Sequence, residues 1–242
     1  MAAMPSSDPQ PGDQVGAATL ERMAAAPRLN RWMFERLSPW IGTRILEIGA
    51  GIGNLSAFFA DRECVVLTDT EPYYLARLRE RFKEARQVRV AELRLPGVSP
   101  TLVAERFDTV VCLNVLEHIE DDLGSLRAMR ALLQPGGRLV LLVPALRALY
   151  GTLDESLGHF RRYGTEELTA KIDAAGFRLS RIEYFNLGGV PGWWFAGRVL
   201  RRRLIPTTAL AWYDALVPLF RLERLLPWRI GQSLIAIGEV PA

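Results

Sequence analysis

Short apolar runs alternate with amphipathic stretches through the middle of the chain. The apolar runs predict five strands, at 44–48, 64–68, 88–91, 108–113 and 138–143. The stretches between them predict helices at 54–60, 72–82, 102–105 and 122–133. Because the runs are continuously apolar, the strands should be buried on both faces, as in a parallel sheet. The alternation of strand and helix predicts a doubly wound, three-layer α/β fold.

The pattern changes after the fifth predicted strand, which the turn sequence Gln134-Pro135-Gly136-Gly137 should precede. A helix is predicted over 165–175, with Thr165 as its cap and Gly176 at its end. Two more strands are predicted at 178–185 and 233–240. The segment between these strands holds four of the six tryptophans, interleaved with arginines.

Four segments follow from this pattern. A leader rich in Pro, Ser and Gly is expected to be flexible, and it precedes a core that is interrupted by a helical insertion before its last strand. The segments are the leader at 1–28, the core at 29–186, the insertion at 187–230 and the last strand at 231–242.

Composition narrows the class of protein. The 242 residues are 49% hydrophobic and 24% charged, which suits one full domain with a sizeable core. The net charge of +3 is too small and too diffuse to predict a nucleic-acid partner. Cys64 and Cys112 lie in apolar runs, as expected for buried thiols in a reducing compartment. With no signal-peptide pattern and no clean apolar run of membrane-spanning length, we expect a cytoplasmic protein.

Glycines follow the first predicted strand, in the sequence Glu47-Ile48-Gly49-Ala50-Gly51-Ile52-Gly53-Asn54. Glycine allows positive φ and lets a ligand lie against bare backbone at the carboxyl end of a strand. Asp69 ends the next strand, where a carboxylate can accept both hydroxyls of a ribose. These features predict a nucleotide or nucleoside site.

Two positions separate the possible nucleotides. The dinucleotide fingerprint expects a third glycine where this chain has Asn54, which argues against an NAD-dependent oxidoreductase. Glu47 would repel a pyrophosphate, but it suits a ligand that carries a cationic amino-acid group. A sulfonium nucleoside with a free ammonium is such a ligand.

The ordered motifs resemble those of the class I S-adenosylmethionine-dependent methyltransferases. The resemblance rests on the glycine loop, Asp69, the run from Phe107 to Ile119 and the segment from Leu133 to Gly137. It implies a Rossmann-like, seven-stranded, mostly parallel sheet with an antiparallel last strand. It also implies S-adenosylmethionine as cofactor and S-adenosylhomocysteine as product.

The resemblance further implies which residues meet the cofactor. The methionine portion would contact the glycine loop, and Asp69 would hold the ribose with Thr70 beside it. Glu92 and Leu93 would meet the adenine, with Glu92 where the family usually has Asp, and Asn114 would lie near the methionine end. The loop residues are Glu47, Gly49, Ala50, Gly51 and Gly53.

His118 and His159 are the only histidines, and two interpretations of them compete. In the first, which we favour, one of them removes a hydroxyl proton during methyl transfer, with Glu117 nearby. In the second, Glu117, His118 and His159 hold a divalent metal. The second resembles the metal-dependent O-methyltransferases of ubiquinone synthesis and small-RNA 3′-end methylation, which show Glu-x-x-Glu-His and a later His. Asn114 replaces the first of those acids, which puts Mg²⁺ in doubt.

Acceptor-site candidates lie in two segments. Arg161, Arg162 and Tyr163 would clamp an anionic substrate, or alternatively pair with Asp154 and Glu155. The insertion, with Trp193 and Trp194, has three interpretations: a lid over the substrate, a homodimer surface, or a peripheral membrane element in which Trp and Arg meet lipid headgroups.

We therefore expect a methyltransferase that acts on the hydroxyl of a small molecule, such as a sugar, a lipid-linked compound or a secondary metabolite. A histidine would assist the removal of the proton. N- or C-methylation by the same fold is one alternative, and a non-catalytic S-adenosylmethionine-binding or partner subunit is another.

Overall fold

The fold is taken from a computed structural model, which describes residues 11–225 and 230–241. Seven strands in this part of the chain form one sheet, in the order β3-β2-β1-β4-β5-β7-β6. The strands are β1 (Arg44–Ile48), β2 (Cys64–Asp69), β3 (Val88–Glu92), β4 (Phe107–Leu113), β5 (Leu133–Pro144), β6 (Arg178–Phe185) and β7 (Ser233–Glu239).

The strand directions confirm the predicted sheet. β1 to β5 pair in parallel, and β7 lies antiparallel between β5 and β6. The carboxyl ends of β1, β2, β3 and β4 therefore meet at one edge, which in open α/β sheets is where ligands bind. The glycine loop and the segment after β4 both lie at this edge.

Helices cover both faces of the sheet. They are α1 (Pro11–Ala24), α2 (Pro27–Leu37), α3 (Pro72–Arg81), α4 (Pro100–Glu105), α5 (Asp122–Leu132), α6 (Thr152–Ser156), α7 (Thr165–Ala174), α8 (Gly189–Trp194) and α9 (Thr207–Phe220). One buried apolar cluster joins α4, α5 and α7 to the sheet. A second joins α2, α3 and α9 to the opposite face. This is the predicted three-layer arrangement.

The helix predicted at 54–60 is wrong, because only a single 3₁₀ turn, Ser56–Phe58, forms there. The chain leaves the glycine loop with Gly53 at a φ of +78°. The side-chain amide of Asn54 then donates to the carbonyl of Leu20, and the Ser56 hydroxyl donates to the buried carboxylate of Glu47. Both polar side chains are thus used in tertiary contacts instead of continuing a helix.

Two smaller predictions also fail. The turn at 134–137 lies inside β5 as a bulge, since the pairing to β4 jumps from Phe107↔Leu133 to Thr109↔Arg138. The looped-out glycines bond across to Val240, which accepts from the Gly136 amide and donates to the Gly137 carbonyl. The cap of α7 is Gly164 and not Thr165, which is the first helical residue.

The predicted flexible leader is wrong over residues 11–24, which form α1. This helix packs over the glycine loop through Leu20 and pairs with α3 through the ion pair of Glu21 and Arg77. Residues 1–10 lie outside the described part of the chain. The flexibility of the leader was predicted from its amino-acid composition, which carries no information about these tertiary contacts.

Over its described residues, the insertion consists of α8, a π-helical turn at Phe195–Val199, α9 and a 3₁₀ turn at Arg221–Leu225. α9 packs on α2, with Leu210 and Val217 buried in the shared cluster. Trp228, which the insertion prediction included, lies outside the described residues. Within the described residues, no helix is long and apolar enough to cross a membrane.

Candidate functional site

The glycine loop is tightly covered. Gly49, Gly51 and Gly53 have φ values of +67°, +57° and +78°, a region that non-glycine residues rarely adopt. A Cβ on Gly49 would collide with the side chain of Val115, and one on Gly51 would lie 2.8 Å from Leu20 Cδ1. The backbone of the loop is therefore held between α1 and the segment that follows β4.

Asp69 orders this loop. One oxygen of its buried carboxylate accepts from the Gly51 amide at 2.9 Å, and the other accepts from the amides of Thr70 at 2.8 Å and Glu71 at 3.1 Å. The predicted ribose acceptor thus lies against the loop and fixes its backbone.

Glu47 is buried beneath the loop, and the Ser56 hydroxyl donates to its carboxylate. Burial raises the pKa of Glu47 to about 7, the Ser56 hydrogen bond opposes that rise, and the charge of Asp69 adds to it. Burial therefore favours the protonated form of this carboxyl. A cationic ligand group placed beside it would favour the ionised form.

The other predicted cofactor residues come to the same edge. Glu92 lies opposite Asp69 in the register of β2 and β3, and the Leu93 amide donates to the carbonyl of Asp69 at 3.2 Å. Asn114 follows β4 with a φ of +53°, and its backbone amide donates to the carbonyl of Leu142 at 2.8 Å. The edge thus presents Glu92 and Asn114 as exposed side chains around the loop.

Glu117, His118 and His159 also converge at this edge. The two imidazole rings stack edge to face, with centroids 4.7 Å apart and an interplanar angle of 89°. One ligand atom from each of the three residues lies within 4.8 Å of the others. Burial, followed by the neighbouring His159, lowers the pKa of His118, although part of its side chain remains exposed. The neutral imidazole is therefore its form at neutral pH.

Glu117 is wholly buried, and neither oxygen of its carboxyl has a hydrogen-bond partner among the described residues. Oε1 lies 4.0 Å from His159 Nε2. Burial raises the pKa of Glu117 to about 8, against the opposing charge of Arg162. A buried carboxyl group without a partner is costly, so this position favours either the protonated acid or a bound cation.

Asp154, which the sequence suggested only as an ion-pair partner, organises this cluster. One of its oxygens lies 2.9 Å from His159 Nδ1 and accepts from Arg162 Nε at 2.7 Å. The other accepts from Trp193 Nε1 at 3.2 Å and from the Gly151 amide at 3.1 Å. Burial alone would raise the pKa of Asp154, but the His159 hydrogen bond and the Arg162 charge hold it below its ordinary value. The sequence signal was an acid five residues before a histidine.

The three residues predicted to clamp an anionic substrate contact other residues of this protein instead. Arg161 pairs with Asp122 at 2.7 Å, and the Tyr163 hydroxyl donates to the same carboxylate at 3.0 Å. Arg162 is buried against Asp154, with its guanidinium 4.9 Å from the centroid of the Trp193 ring. These contacts favour the alternative in which the three residues pair within the protein, with Asp122 taking the place of Glu155.

The two adjacent tryptophans separate. Trp193 reaches the cluster through Asp154, whereas Trp194 is 49% exposed. Only Trp193 is therefore placed to shape the candidate site.

The site fits two kinds of ligand. Glu47 beneath the glycine loop and the exposed Glu92 and Asn114 at the same edge suit a nucleoside with a cationic amino-acid group. Two imidazoles and one unpartnered carboxylate form a His₂Glu donor set, which suits Zn²⁺ or a similar transition metal. Asp154 on His159 Nδ1 is the outer hydrogen bond that metal-binding histidines usually make.

Comparisons with known proteins agree with this geometry. A family model described as a methyltransferase domain matches residues 46–139. The ubiquinone biosynthesis O-methyltransferase of Aeromonas salmonicida is 32% identical over 115 residues, which cover 46% of this chain and 47% of that protein. Fumosorinone synthetase of Cordyceps fumosorosea is 32% identical over 185 residues, which cover 71% of this chain and 4% of that protein. The chain spans about half the length of the ubiquinone-biosynthesis relative.

Solved structures share the fold at low identity. The complex between the Haloferax volcanii Trm112 methyltransferase activator and a methyltransferase contains a chain with a TM-score of 0.64 and 14% identity, covering 96% of this chain and 98% of that one. The [4+2]-cyclase SpnF has a TM-score of 0.61 and 17% identity, covering 97% of each chain. These likenesses show the architecture, and the cyclase shows that one architecture serves more than one reaction. Residues 46–139 of this chain thus match a methyltransferase-domain family, and the fold and ordered motifs of the chain are similar to those of the class I S-adenosylmethionine-dependent methyltransferases.

Proposed function

We propose that the protein transfers a methyl group from S-adenosylmethionine to the hydroxyl oxygen of a small molecule. The observation that carries this proposal is the His159–Asp154 pair, which lies beside His118 and Glu117 at the carboxyl edge of the sheet. Hydroxyl methylation must remove a proton, and an oriented imidazole is suited to accept it.

In this proposal, each ring nitrogen of His159 has a separate role. Nδ1–H donates to Asp154, which leaves the Nε2 lone pair available. S-adenosylmethionine, held at the glycine loop and Asp69, would supply the methyl group and would leave as S-adenosylhomocysteine. The hydroxyl proton then passes to Nε2, and the Asp154 carboxylate stabilises the resulting positive charge, as in other oriented histidine bases.

A metal-assisted form of the same reaction is the second candidate, favoured by the unpartnered Glu117 carboxyl. Glu117, His118 and His159 would hold the ion, which when bound would lower the pKa of the acceptor hydroxyl. Asn114 lies where related metal enzymes carry an acid, so the donor set suits Zn²⁺ better than Mg²⁺.

Calorimetric titration with S-adenosylmethionine, S-adenosylhomocysteine and NAD tests the cofactor. We expect both sulfur nucleosides to bind and NAD not to bind. If neither sulfur nucleoside binds, the proposal fails at its first step. Binding without turnover on any acceptor would instead support a binding subunit.

Transfer of a labelled methyl group to a panel of phenols, sugars, prenol-linked alcohols and amines tests the reaction. His159→Asn should abolish transfer to hydroxyls while S-adenosylhomocysteine still binds, and Asp154→Asn should shift the acidic limb of the pH–rate profile. Transfer to amines alone would contradict O-methylation. Loss of activity in EDTA that Zn²⁺ restores, together with stoichiometric Zn²⁺ measured in the protein, would select the metal-assisted form.

A further inference from the structure

The insertion exposes a large apolar surface. Its outward side chains come from α8, the π-helical turn and α9, and several are about half exposed or more, including Trp212 at 74% and Leu219 at 60%. We call this surface the insertion face, and its main apolar residues are Trp194, Phe195, Leu200, Trp212, Leu216 and Leu219. Trp212, Leu216 and Leu219 recur at i, i+4 and i+7 and therefore share one face of α9, and clustered exposed apolar residues of this kind mark an interaction site more often than a bare surface.

α9 has no charge on its outer side. Its exposed positions are Thr, Ala, Trp, Leu and Pro, and its one charged residue, Asp214, is turned inward. Asp214 accepts from the Leu29 amide at 2.8 Å, which fixes the rotation of α9 on α2. The apolar residues are therefore held outward by a buried contact on the opposite side of the helix.

Arginines border the insertion face. Arg198 is exposed in the π-helical turn, Arg201, Arg202 and Arg203 are exposed between that turn and α9, and Arg224 is exposed beyond α9. Of the two acids described between 189 and 225, Asp214 is buried and Glu223 accepts from the amides of Asn186 and Leu187. The exposed charges of the described insertion are thus all positive.

This charge pattern selects the occupant. In a symmetric dimer, the same arginine-rich border would meet itself across the interface, and like charges would repel. An anionic bilayer offers the complementary arrangement, since Trp and Leu enter the boundary between headgroups and acyl chains while Arg meets phosphates. We propose that the insertion face docks the protein on the surface of membranes that contain anionic lipids.

The docked surface lies beside the candidate site. The Thr152 hydroxyl donates to the carbonyl of Arg202 at 2.7 Å, and the Ser156 hydroxyl donates to the carbonyl of Arg203 at 2.7 Å. Both hydroxyls belong to α6, which also carries Asp154. A membrane on the insertion face would therefore bring lipid-linked acceptors close to His159.

Co-sedimentation of the full-length protein with vesicles tests this proposal without any activity assay. We expect binding to phosphatidylcholine vesicles that contain phosphatidylglycerol, with marked weakening at high salt because screening shortens the reach of the arginine charges. Binding to pure phosphatidylcholine should be much weaker. Equal, salt-insensitive binding to both would overturn the assignment to anionic lipid, and no binding to either would overturn docking altogether.

Matched variants separate the face from net charge. Arg201→Gln, Arg202→Gln and Arg203→Gln together should weaken vesicle binding by about tenfold or more, since each arginine near an anionic surface contributes. The control replaces Arg79, Arg86 and Arg127, which are exposed outside the insertion, by Gln and should retain most of the binding. Trp212→Ser with Leu216→Ser should also reduce binding, while S-adenosylhomocysteine affinity reports that the fold is intact. Equal loss in the control, or a lipid-free dimer abolished by Trp212→Ser, would overturn the proposal.

Discussion

At the scale of single residues, Asp154 and Glu47 are two of the buried acids on which the candidate site depends. Asp154 joins His159, Arg162 and Trp193 through one carboxylate. Glu47 lies beneath the glycine loop with a raised pKa. In each case, burial decides how the carboxyl behaves, because its ionised form needs a positive or hydrogen-bonding partner nearby.

Asp154→Asn should destabilise the protein by about 3–5 kcal/mol, because the buried Arg162 cation loses its counter-charge. Adding Arg162→Met should recover part of that loss. Urea denaturation measures both free energies of unfolding. Arg178→Met, in an exposed ion pair with Glu239, is the control and should change stability by less than about 1 kcal/mol. A similar small change in Asp154→Asn would contradict the buried-pair account.

Glu47 gives a prediction about pH. If the ammonium of the ligand binds the ionised carboxylate, affinity for S-adenosylhomocysteine should rise with pH through about 7, the pKa of Glu47. The expected gain is about tenfold between pH 6 and pH 8, since each unit below the pKa costs a factor of ten. Calorimetry over this range measures it.

The amine of the ligand also titrates with pH, and it does so in both proteins. The Glu47→Gln variant is therefore the control, because it removes only the titration of the Glu47 carboxyl. Its affinity should depend much less on pH. Without ligand, the raised pKa means that the contribution of Glu47 to wild-type stability falls as pH rises through 7, and Glu47→Gln should remove that dependence. Identical pH profiles for the two proteins would exclude Glu47 from ligand binding.

Elements distant in sequence complete one another in this fold. α2 begins after Ala26, which has no side chain able to cap the helix, and Asp214 on α9 accepts from the amide of Leu29 instead. α1 similarly completes the glycine loop, since Leu20 packs against Gly51 and its carbonyl accepts from Asn54. α1 therefore stabilises the glycine loop, and α9 stabilises α2, from outside the segment that carries the sequence motifs.

Asp214→Ala should cost about 1–2 kcal/mol of stability, because it removes the cap of α2 and leaves a buried amide without its acceptor. Thermal and urea denaturation measure the change. Thr208→Ala, at an exposed position on the same helix, is the matched control and should have little effect. If the two variants are equally stable, α9 does not cap α2 in solution.

At the scale of the whole molecule, the features that bear on function are the candidate cofactor edge, the histidine cluster and the insertion face. α6 connects the last two, since it bonds to the arginine segment through Thr152 and Ser156 and carries Asp154. The vesicle experiment belongs to this scale, because it tests whether the assembled insertion face binds a membrane. That experiment measures membrane docking alone, so its outcome is independent of the methyl-transfer assay.

Local sequence patterns are sufficient to predict the order of the strands along the chain, the parallel sheet and the cofactor motif. Five continuous apolar runs and a glycine loop between Glu47 and Asn54 are local patterns, and local backbone preferences suffice to interpret them. Glu117, His118 and His159 were also identified, because histidine is rare in this chain and ionisable residues are easily recognised.

Other features of the fold and the site depend on contacts between distant segments. The helicity of 11–24, the turn that replaced the helix at 54–60, the cap from Asp214 and the role of Asp154 all depend on partners far away in sequence. Burial works in the same way, since the raised pKa of Glu117 and the outward face of α9 depend on what packs around them. A local pattern specifies backbone conformation, whereas desolvation and charge pairing arise only when distant segments meet.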